Sequence, residues 1–589
     1  MIKVAETTLP AQIDVEPDPD VSTSVSHASE GGASQGSKWR IASGIFLFVL
    51  ALYVLTTAGR IDSVDGQARF DVAYNWLVNG RPMIRDAWIA PFMSVPGRDG
   101  FRYSNYGAPA SVFGMPLVWL GLHTNAPDIQ RSQFLFSLTS SIFGAGIAPI
   151  LFLFYLELGV ATRSALTWTM VSSFATMVWP ASNTGLDNAQ HAFFALSAFY
   201  FGFLSARRKS AAYAIVGGLM AGVLFLYQEY FLLIIPALAL STLDWKPGNN
   251  SIAPPTTSTE TMFGRVLSAF RQTFRAALTL VRAACNGPGE ARSSCIRYCL
   301  FVGAISVGVV LSLAYNDLRF GSWLDDGKVR LIPHNESHFF GNPLAGFLTL
   351  LVSPGKSILL YSPALVLGVM GVRQWWRRQP ELATAIVVSS VVLVLFLSCI
   401  VFAGGDWCWG PRYLTPLLPL WALGFPFATS VCLRRDLAVA VIGLSFLVQV
   451  MGLSVENQRF FFERAMDDHF WEQDSWIYFK HSALFARVGE VVSLSQGTPS
   501  TAKSFNSIPT GWSTYTILGP PLNIPRRDSA QWIRHFKIYY VPRPWPLWMW
   551  WLPAWARPVN VGTWTFGVLS VFLAGAGLIY RGLRRTECG

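Results

Sequence analysis

Apolar runs of about twenty residues recur along this chain, and each is long enough to cross a ~30 Å hydrocarbon core as a helix. Inside a bilayer every backbone N–H and C=O must find a partner within the protein, which leaves helices as the structure open to runs of this kind. Spans are expected near residues 41–58, 132–156, 163–180, 188–205, 212–227, 229–243, 297–315, 350–372, 382–403, 413–431, 436–454 and 562–580. The pair 212–227 and 229–243 is tight for two crossings and is also readable as a single long tilted helix. Apolar residues make up 52% of the chain and charged residues only 13%, against roughly a quarter charged in soluble proteins. The fold class is therefore all-α and polytopic, with about twelve transmembrane helices.

The basic residues orient this arrangement, because Lys and Arg accumulate in cytoplasmic loops. Lys38 and Arg40 precede the first span, Arg163 lies between the second and third, and Arg207, Arg208 and Lys209 lie between the fourth and fifth. The polar insert 244–296 carries Arg265, Arg271, Arg275, Arg282 and Arg292. Arg373, Arg377 and Arg378 follow the eighth span, Arg434 and Arg435 the tenth, and Arg581, Arg584 and Arg585 the last. All of these groups fall on one side, so both termini are expected in the cytoplasm of a cell whose plasma membrane, in bacteria the inner one, holds the chain. The segment Ala108 to Leu122 is apolar enough to span, but counting it would invert every later loop; it is expected as a juxtamembrane helix at the outer surface. The net charge of +11 reports this topology, and nucleic acid is not an expected partner.

The remaining segments are of other kinds. The first 38 residues are polar and rich in Ser, Gly and Asp, and are expected to be a disordered cytoplasmic tail. The first apolar segment lacks a signal-peptide cleavage pattern and is read as a retained span. The insert 244–296 places Val266, Phe270, Phe274, Leu278 and Val281 at helical spacing with Arg between them, as a surface-lying cytoplasmic helix would. The region 455–561 clusters Trp545, Trp548, Trp550, Trp551 and Trp555, which favours the membrane interface. The seven cysteines form no CxxC pair and indicate neither a disulfide framework nor a zinc site. His334 and His338 are spaced by four, but Pro333 and the loop context argue against a metal site, and none is expected.

Ionisable residues from distant parts of the chain converge on the outer face. The first outer loop carries Asp62, Asp65 and Asp71, then Arg102, Tyr103, Ser104, Asn105, Tyr106 and Gly107. Asp187 stands at the mouth of the fourth span, where helix capping is the plainer role, and Glu229 lies within an apolar run near the outer ends of the fifth and sixth. Lys356 and Tyr361 open the eighth span, and Gly410, Pro411, Arg412 and Tyr413 precede the tenth. Charges at membrane depth are costly and mark function. An Asp there can take a proton from an acceptor hydroxyl, and Arg or Lys can hold a phosphate as it leaves.

These motifs resemble the GT-C superfamily of integral-membrane glycosyltransferases, and within it the branch of protein O-mannosyltransferases and the lipid A aminoarabinose transferase. The family carries an acidic motif followed by Arg and an aromatic residue in its first outer loop, which Asp65, Arg69 and Phe70 match without the neighbouring second acid. A later acid opening a span is matched by Asp187. The Tyr-Ser-Lys-Tyr-Gly, Ser-Pro-Gly-Arg and Gly-Pro-Arg-Tyr motifs are met by 103–107, 353–356 and 410–413, with Asn105 in place of Lys and Lys356 in place of Arg. The resemblance runs from about residue 40 to 430 and implies a GT-C-like catalytic domain over 39–454. It further implies an inverting transferase that moves a sugar from a polyprenyl-phosphate carrier to an acceptor hydroxyl of a lipid, polysaccharide or protein. Asp65 would act as base and Asp187 would position acceptor or sugar. Arg412, Lys356, Arg102, Tyr103, Asn105, Tyr361, Asp62 and Glu229 would line the substrate site. No cofactor is implied in this branch. A transporter or flippase of lipid-linked sugars is the rival reading, although no internal repeat is evident. A third is an inactive relative that binds glycan or lipid, since Asn105 replaces the expected Lys.

Overall fold

The structure, a computed structural model, describes residues 35–59, 61–85, 93–123, 129–243, 289–331, 340–405, 408–430, 435–454, 457, 482–495 and 561–587. Residues 1–34 of the expected tail, most of the insert 244–296, the pair His334 and His338, and nearly all of the Trp-rich region lie outside these residues, while 35–38 of that tail open the first helix. The described chain is a helical bundle with one short antiparallel hairpin, Ser94–Pro96 against Arg102–Ser104. Six helices are long and apolar enough to cross a membrane: Gln35–Thr56, Arg131–Glu157, Arg292–Phe320, Pro380–Ser398, Arg435–Ser454 and Gly562–Thr586. The chain is an integral membrane protein of the all-α polytopic class.

Besides 163–180, which divides between Thr162–Phe174 and Val178–Ser182, three of the expected spans are not continuous helices. Residues 229–243 form two short 3₁₀ turns around the helix Ile235–Ala239, so the stretch from 212 is not one long helix. Residues 350–372 divide among Pro343–Leu351, Ile358–Tyr361 and Leu365–Arg378. Residues 413–431 divide among Arg412–Leu417, Leu418–Ala422 and Phe425–Ser430. Each carries prolines (Pro236; Pro354 and Pro363; Pro416, Pro419 and Pro426), which remove a backbone donor and clash with the preceding turn. Hydropathy does not register this, because proline breaks a helix without adding charge. Broken backbone of this sort is tolerated at membrane depth only when buried in protein, and Leu414, Leu417, Leu418, Leu420, Leu423 and Phe425 are all fully buried.

The first and last helices run antiparallel. Ser37 Oγ donates to the Gly582 carbonyl at 2.8 Å, and Phe48 stacks on Phe572. Glycines permit the approach: a Cβ on Gly575 would lie 2.6 Å from the Phe48 nitrogen and 2.9 Å from the Gly44 carbonyl. Small residues at such crossings let two backbones pack closely in a membrane. Gly575→Val is therefore expected to push the pair apart and cost about 1–3 kcal/mol. Gly567→Ala, on the same helix with nothing within 4 Å of its added Cβ, serves as control. Thermal melting of the two variants in the same detergent checks this.

The expected juxtamembrane helix is present as Pro109–Leu122, beside a second one, Val64–Asn79. Ser111 Oγ ties them together by donating to the Arg69 carbonyl at 2.9 Å. The helices Ala211–Tyr227 and Gly289–Phe320 run side by side in the same direction, close enough that a Cβ on Gly308 would sit 2.2 Å from the Gly222 carbonyl. The longer of the two continues past Tyr227, and its last turn meets the hairpin. The end of Gln35–Thr56, the start of Asn188–Arg208 and the ends of this pair thus gather at one end of the bundle. Arg208, bound to Glu157 at 2.5 Å, marks the other end, about 30 Å along a 21-residue helix.

Candidate active site

The site is built on the first turn of the helix Val64–Asn79. Ser63 caps it by accepting from the Gly66 N–H at 3.1 Å, and Gly80 ends it in the left-handed region at φ 68°. Asp65 and Arg69 lie four residues apart on this helix and so share a face. Both oxygens of Asp65 are engaged: Arg412 Nη1 lies 3.0 Å from Oδ2, and the Tyr106 hydroxyl donates to Oδ1 at 2.9 Å. Arg69 Nη2 pairs with Asp187 Oδ2 at 2.8 Å, and its guanidinium lies 4.4 Å above the Tyr106 ring. His191 completes the group, with Nε2 3.4 Å from Asp187 Oδ2. Two carboxylates, two guanidiniums, an imidazole and a phenol from four separate segments thus form one cluster.

Asp187 precedes the helix Asn188–Arg208 but does not cap it with its side chain; the carboxylate turns to Arg69. Burial works against its ionisation, yet Arg69 and then His191 outweigh that and hold the Asp187 carboxyl well below the usual carboxylate range. Arg69, buried at 4% exposure, is raised for the reciprocal reason, the Asp187 and Asp65 charges overcoming its desolvation. The Tyr106 hydroxyl is pushed well up, by burial first and by the Asp65 charge next, so it is a hydrogen-bond donor and not a base. Asp62 has a backbone task in the same region, accepting from the Gly185 N–H at 2.5 Å and tying the first loop to the 184–187 turn.

The other sequence-nominated residues are placed elsewhere. Arg102 turns into the hairpin, with Nε on Ser94 Oγ at 3.0 Å and Nη2 on the Ser94 carbonyl at 2.7 Å. Tyr103 packs with Met83, Val95 and Phe320 and donates to Asp99 at 2.7 Å; burial, then that carboxylate, raise it to about 12. Asn105 is partly buried, and its Oδ1 has no hydrogen-bond partner among the described residues. Glu229 is half-exposed at the rim and pairs with Lys328. Lys356, only 1% exposed, donates to the Cys408 carbonyl at 2.9 Å and the Gly410 carbonyl at 3.3 Å, so it braces the loop that presents Arg412. Tyr361 supports the same loop, meeting Trp409 edge-on at 4.9 Å and accepting from the Leu484 N–H at 3.2 Å. No group of three or more His, Cys, Asp or Glu able to hold a metal occurs among the described residues.

Arg69, Tyr106 and His191 were not among the nominated site residues. Arg69 stood in the Asp65, Arg69, Phe70 motif and His191 stands four residues after Asp187, and those were the available signals. Tyr106 stood in the 103–107 motif, but nothing local marks it as the partner of Asp65.

No family model matches this chain, and no curated protein matches it. Among solved structures it is similar to ArnT from Cupriavidus metallidurans bound to undecaprenyl phosphate, over 85% of this chain and 88% of that one, at 9% identity and TM-score 0.44. It is also similar to the apo oligosaccharyltransferase of Archaeoglobus fulgidus, over 83% of this chain, at 14% identity and TM-score 0.39. The chain spans about three fifths, 61%, of that oligosaccharyltransferase.

Proposed function

We propose that this protein is an inverting glycosyltransferase of GT-C type that transfers a sugar from a polyprenyl-phosphate carrier to an acceptor hydroxyl. The observation that carries the reading is the Asp65 carboxylate, held by Arg412 and Tyr106 beside the buried Arg69–Asp187 pair at one end of a membrane bundle. In the reaction the acceptor oxygen attacks the anomeric carbon while its proton passes to Asp65. The bond from that carbon to the phosphate oxygen breaks, and the polyprenyl phosphate leaves with the electron pair. Attack from the face opposite the leaving group inverts the anomeric centre. Arg412, at the same carboxylate, moves its charge onto the departing phosphate, which is the electrostatic stabilisation such a step needs. The positive-inside count supports an outward-facing site with both termini cytoplasmic. Undecaprenyl phosphate, the carrier bound in the ArnT structure, is the first carrier class to test.

The test uses purified protein in lipid nanodiscs with a panel of polyprenyl-phosphate sugars and envelope acceptors. Release of free polyprenyl phosphate by wild type, reduced about 10²–10⁴-fold in Asp65→Asn, is the expected result for a general base. Donor binding by both proteins with carrier release by neither would replace the transferase by a flippase or an inactive relative, and carriage of the intact donor across the bilayer would single out the flippase.

A further inference from the structure

We infer that Arg319 is a positioning residue of this site, acting through Tyr106 on Asp65; the inference rests on the transferase reading above. Arg319 is the penultimate residue of the helix Gly289–Phe320, more than two hundred positions from Tyr106 in sequence, and is 2% exposed. Among the described residues no carboxylate stands within ion-pair distance of it. Its donors are spent on backbone and amide oxygens instead. Nη1 donates to the carbonyls of Ser104 and, at 3.1 Å, Tyr106, and Nη2 to Asn316 Oδ1 at 2.6 Å. Nε reaches the Tyr315 carbonyl at 3.3 Å, and the guanidinium lies 4.0 Å over the Tyr315 ring.

Burying a cation without a carboxylate is costly, and removing its hydrogen bonds costs more. What this arrangement achieves is local. Nη1 of Arg319 bridges the two carbonyls on either side of Asn105 while Nη2 is anchored on Asn316, so the guanidinium fixes the peptide from which the Tyr106 side chain departs. That side chain then reaches Asp65 Oδ1 at 2.9 Å. The surroundings brace the same strand. Phe320 packs edge-on against Tyr103, Arg330 donates to the Pro96 carbonyl at 2.8 Å, and Gly97 lies so close that a Cβ there would meet the Arg319 carbonyl at 2.5 Å. The end of one long helix thus holds the hairpin, and the hairpin holds the group that orients the base. A lysine keeps a charge near these carbonyls but has no second nitrogen to reach Asn316, so it loses the contact that sets the direction of Nη1.

The direct test places 3-fluorotyrosine at position 106 in the full chain in nanodiscs and reads its fluorine resonance. Asp65→Asn calibrates the shift for loss of the hydroxyl–carboxylate contact. Arg319→Gln is expected to move the resonance toward that value, Arg319→Lys to move it part-way, and Arg207→Gln, exposed at the other end of the bundle, to leave it unchanged. A resonance unmoved in Arg319→Gln overturns the inference. If that variant does not fold, the Lys variant decides in the same way. The kinetic arm compares Arg319→Gln, Tyr106→Phe and the double variant. Each single change is expected to lower kcat about 10–10²-fold, and the double variant to fall no further than the worse single one. Multiplying effects would show that Arg319 does not act through Tyr106. Absence of turnover in wild type would remove the transferase reading, while the fluorine shift still decides the placement of Tyr106.

Discussion

Replacing Arg69 by Met is expected to destabilise the protein by about 3–5 kcal/mol, because it strands the Asp187 carboxylate in a buried setting without its ion-pair partner. The side chains are 4% and 9% exposed, so water cannot take over the lost contact. Asp187→Ala should do comparable damage from the other side, leaving the buried guanidinium beside Arg412 with only the more distant Asp65 charge to offset it. The double variant Arg69→Met, Asp187→Leu should regain much of the lost stability, since a well-packed apolar pair is often as good as a buried ion pair. It should not regain turnover. Melting in detergent measures the first effect and carrier release the second; a double variant as unstable as the singles would mean that the pair is not what holds these elements. The pH dependence follows from the depressed Asp187 pKa. The pair's contribution is fully present above the ordinary carboxylate pKa of about 4 and is lost as pH falls through the lower folded value. Asp187→Asn should therefore flatten the acid side of the melting profile.

A single methyl group at Gly107 is expected to have the second largest effect. A Cβ there would lie 1.9 Å from the Leu226 carbonyl oxygen and 3.1 Å from that of Tyr227, both backbone atoms at the end of a packed helix. Neither can turn aside as a side chain would, so Gly107→Ala must move the loop. Overpacking of this kind costs about 1–3 kcal/mol. Because Tyr106 is the adjacent residue and contacts Asp65, the larger consequence is on catalysis. Displacement by about an ångström is enough to lower turnover ~10²-fold. Gly100→Ala makes the contrast: it too lies in the first loop, with nothing within 4 Å of its added Cβ, but at φ 81° it strains the backbone without pushing on the site. Turnover near wild type in Gly107→Ala would show that this loop does not set the geometry of Asp65.

Three members of the cluster were legible before any coordinates, because their motifs are contiguous. Asp65 lies in an acidic run that follows a span, Asp187 opens a helix, and Arg412 follows Gly-Pro before an apolar stretch. Lys356 was legible as a cation in the right neighbourhood, but a motif cannot say which way a side chain turns. Its ammonium meets the carbonyls of Cys408 and Gly410, which makes it a brace for Arg412. Arg102 is a similar case: it neighbours Tyr103 and Asn105 in sequence, but strand pairing directs its guanidinium to Ser94. The breaks within 229–243, 350–372 and 413–431 were not legible, since a hydropathy window weighs apolar surface and proline changes only hydrogen bonding and sterics.

By itself the sequence determined the class of the protein. The spacing of apolar runs demands helices in a membrane, because an unpaired peptide group in hydrocarbon is costly and a helix satisfies its own backbone. Which charges pair was decided only by tertiary structure. Arg412 meets Asp65 across 347 positions, Arg319 meets Tyr106 across 213, and no periodicity along the chain encodes either distance. Those partners are set by which helix ends arrive at the same end of the bundle, and that follows from packing contacts such as Gly308 on Gly222, whose energy belongs to the pair and to neither segment alone.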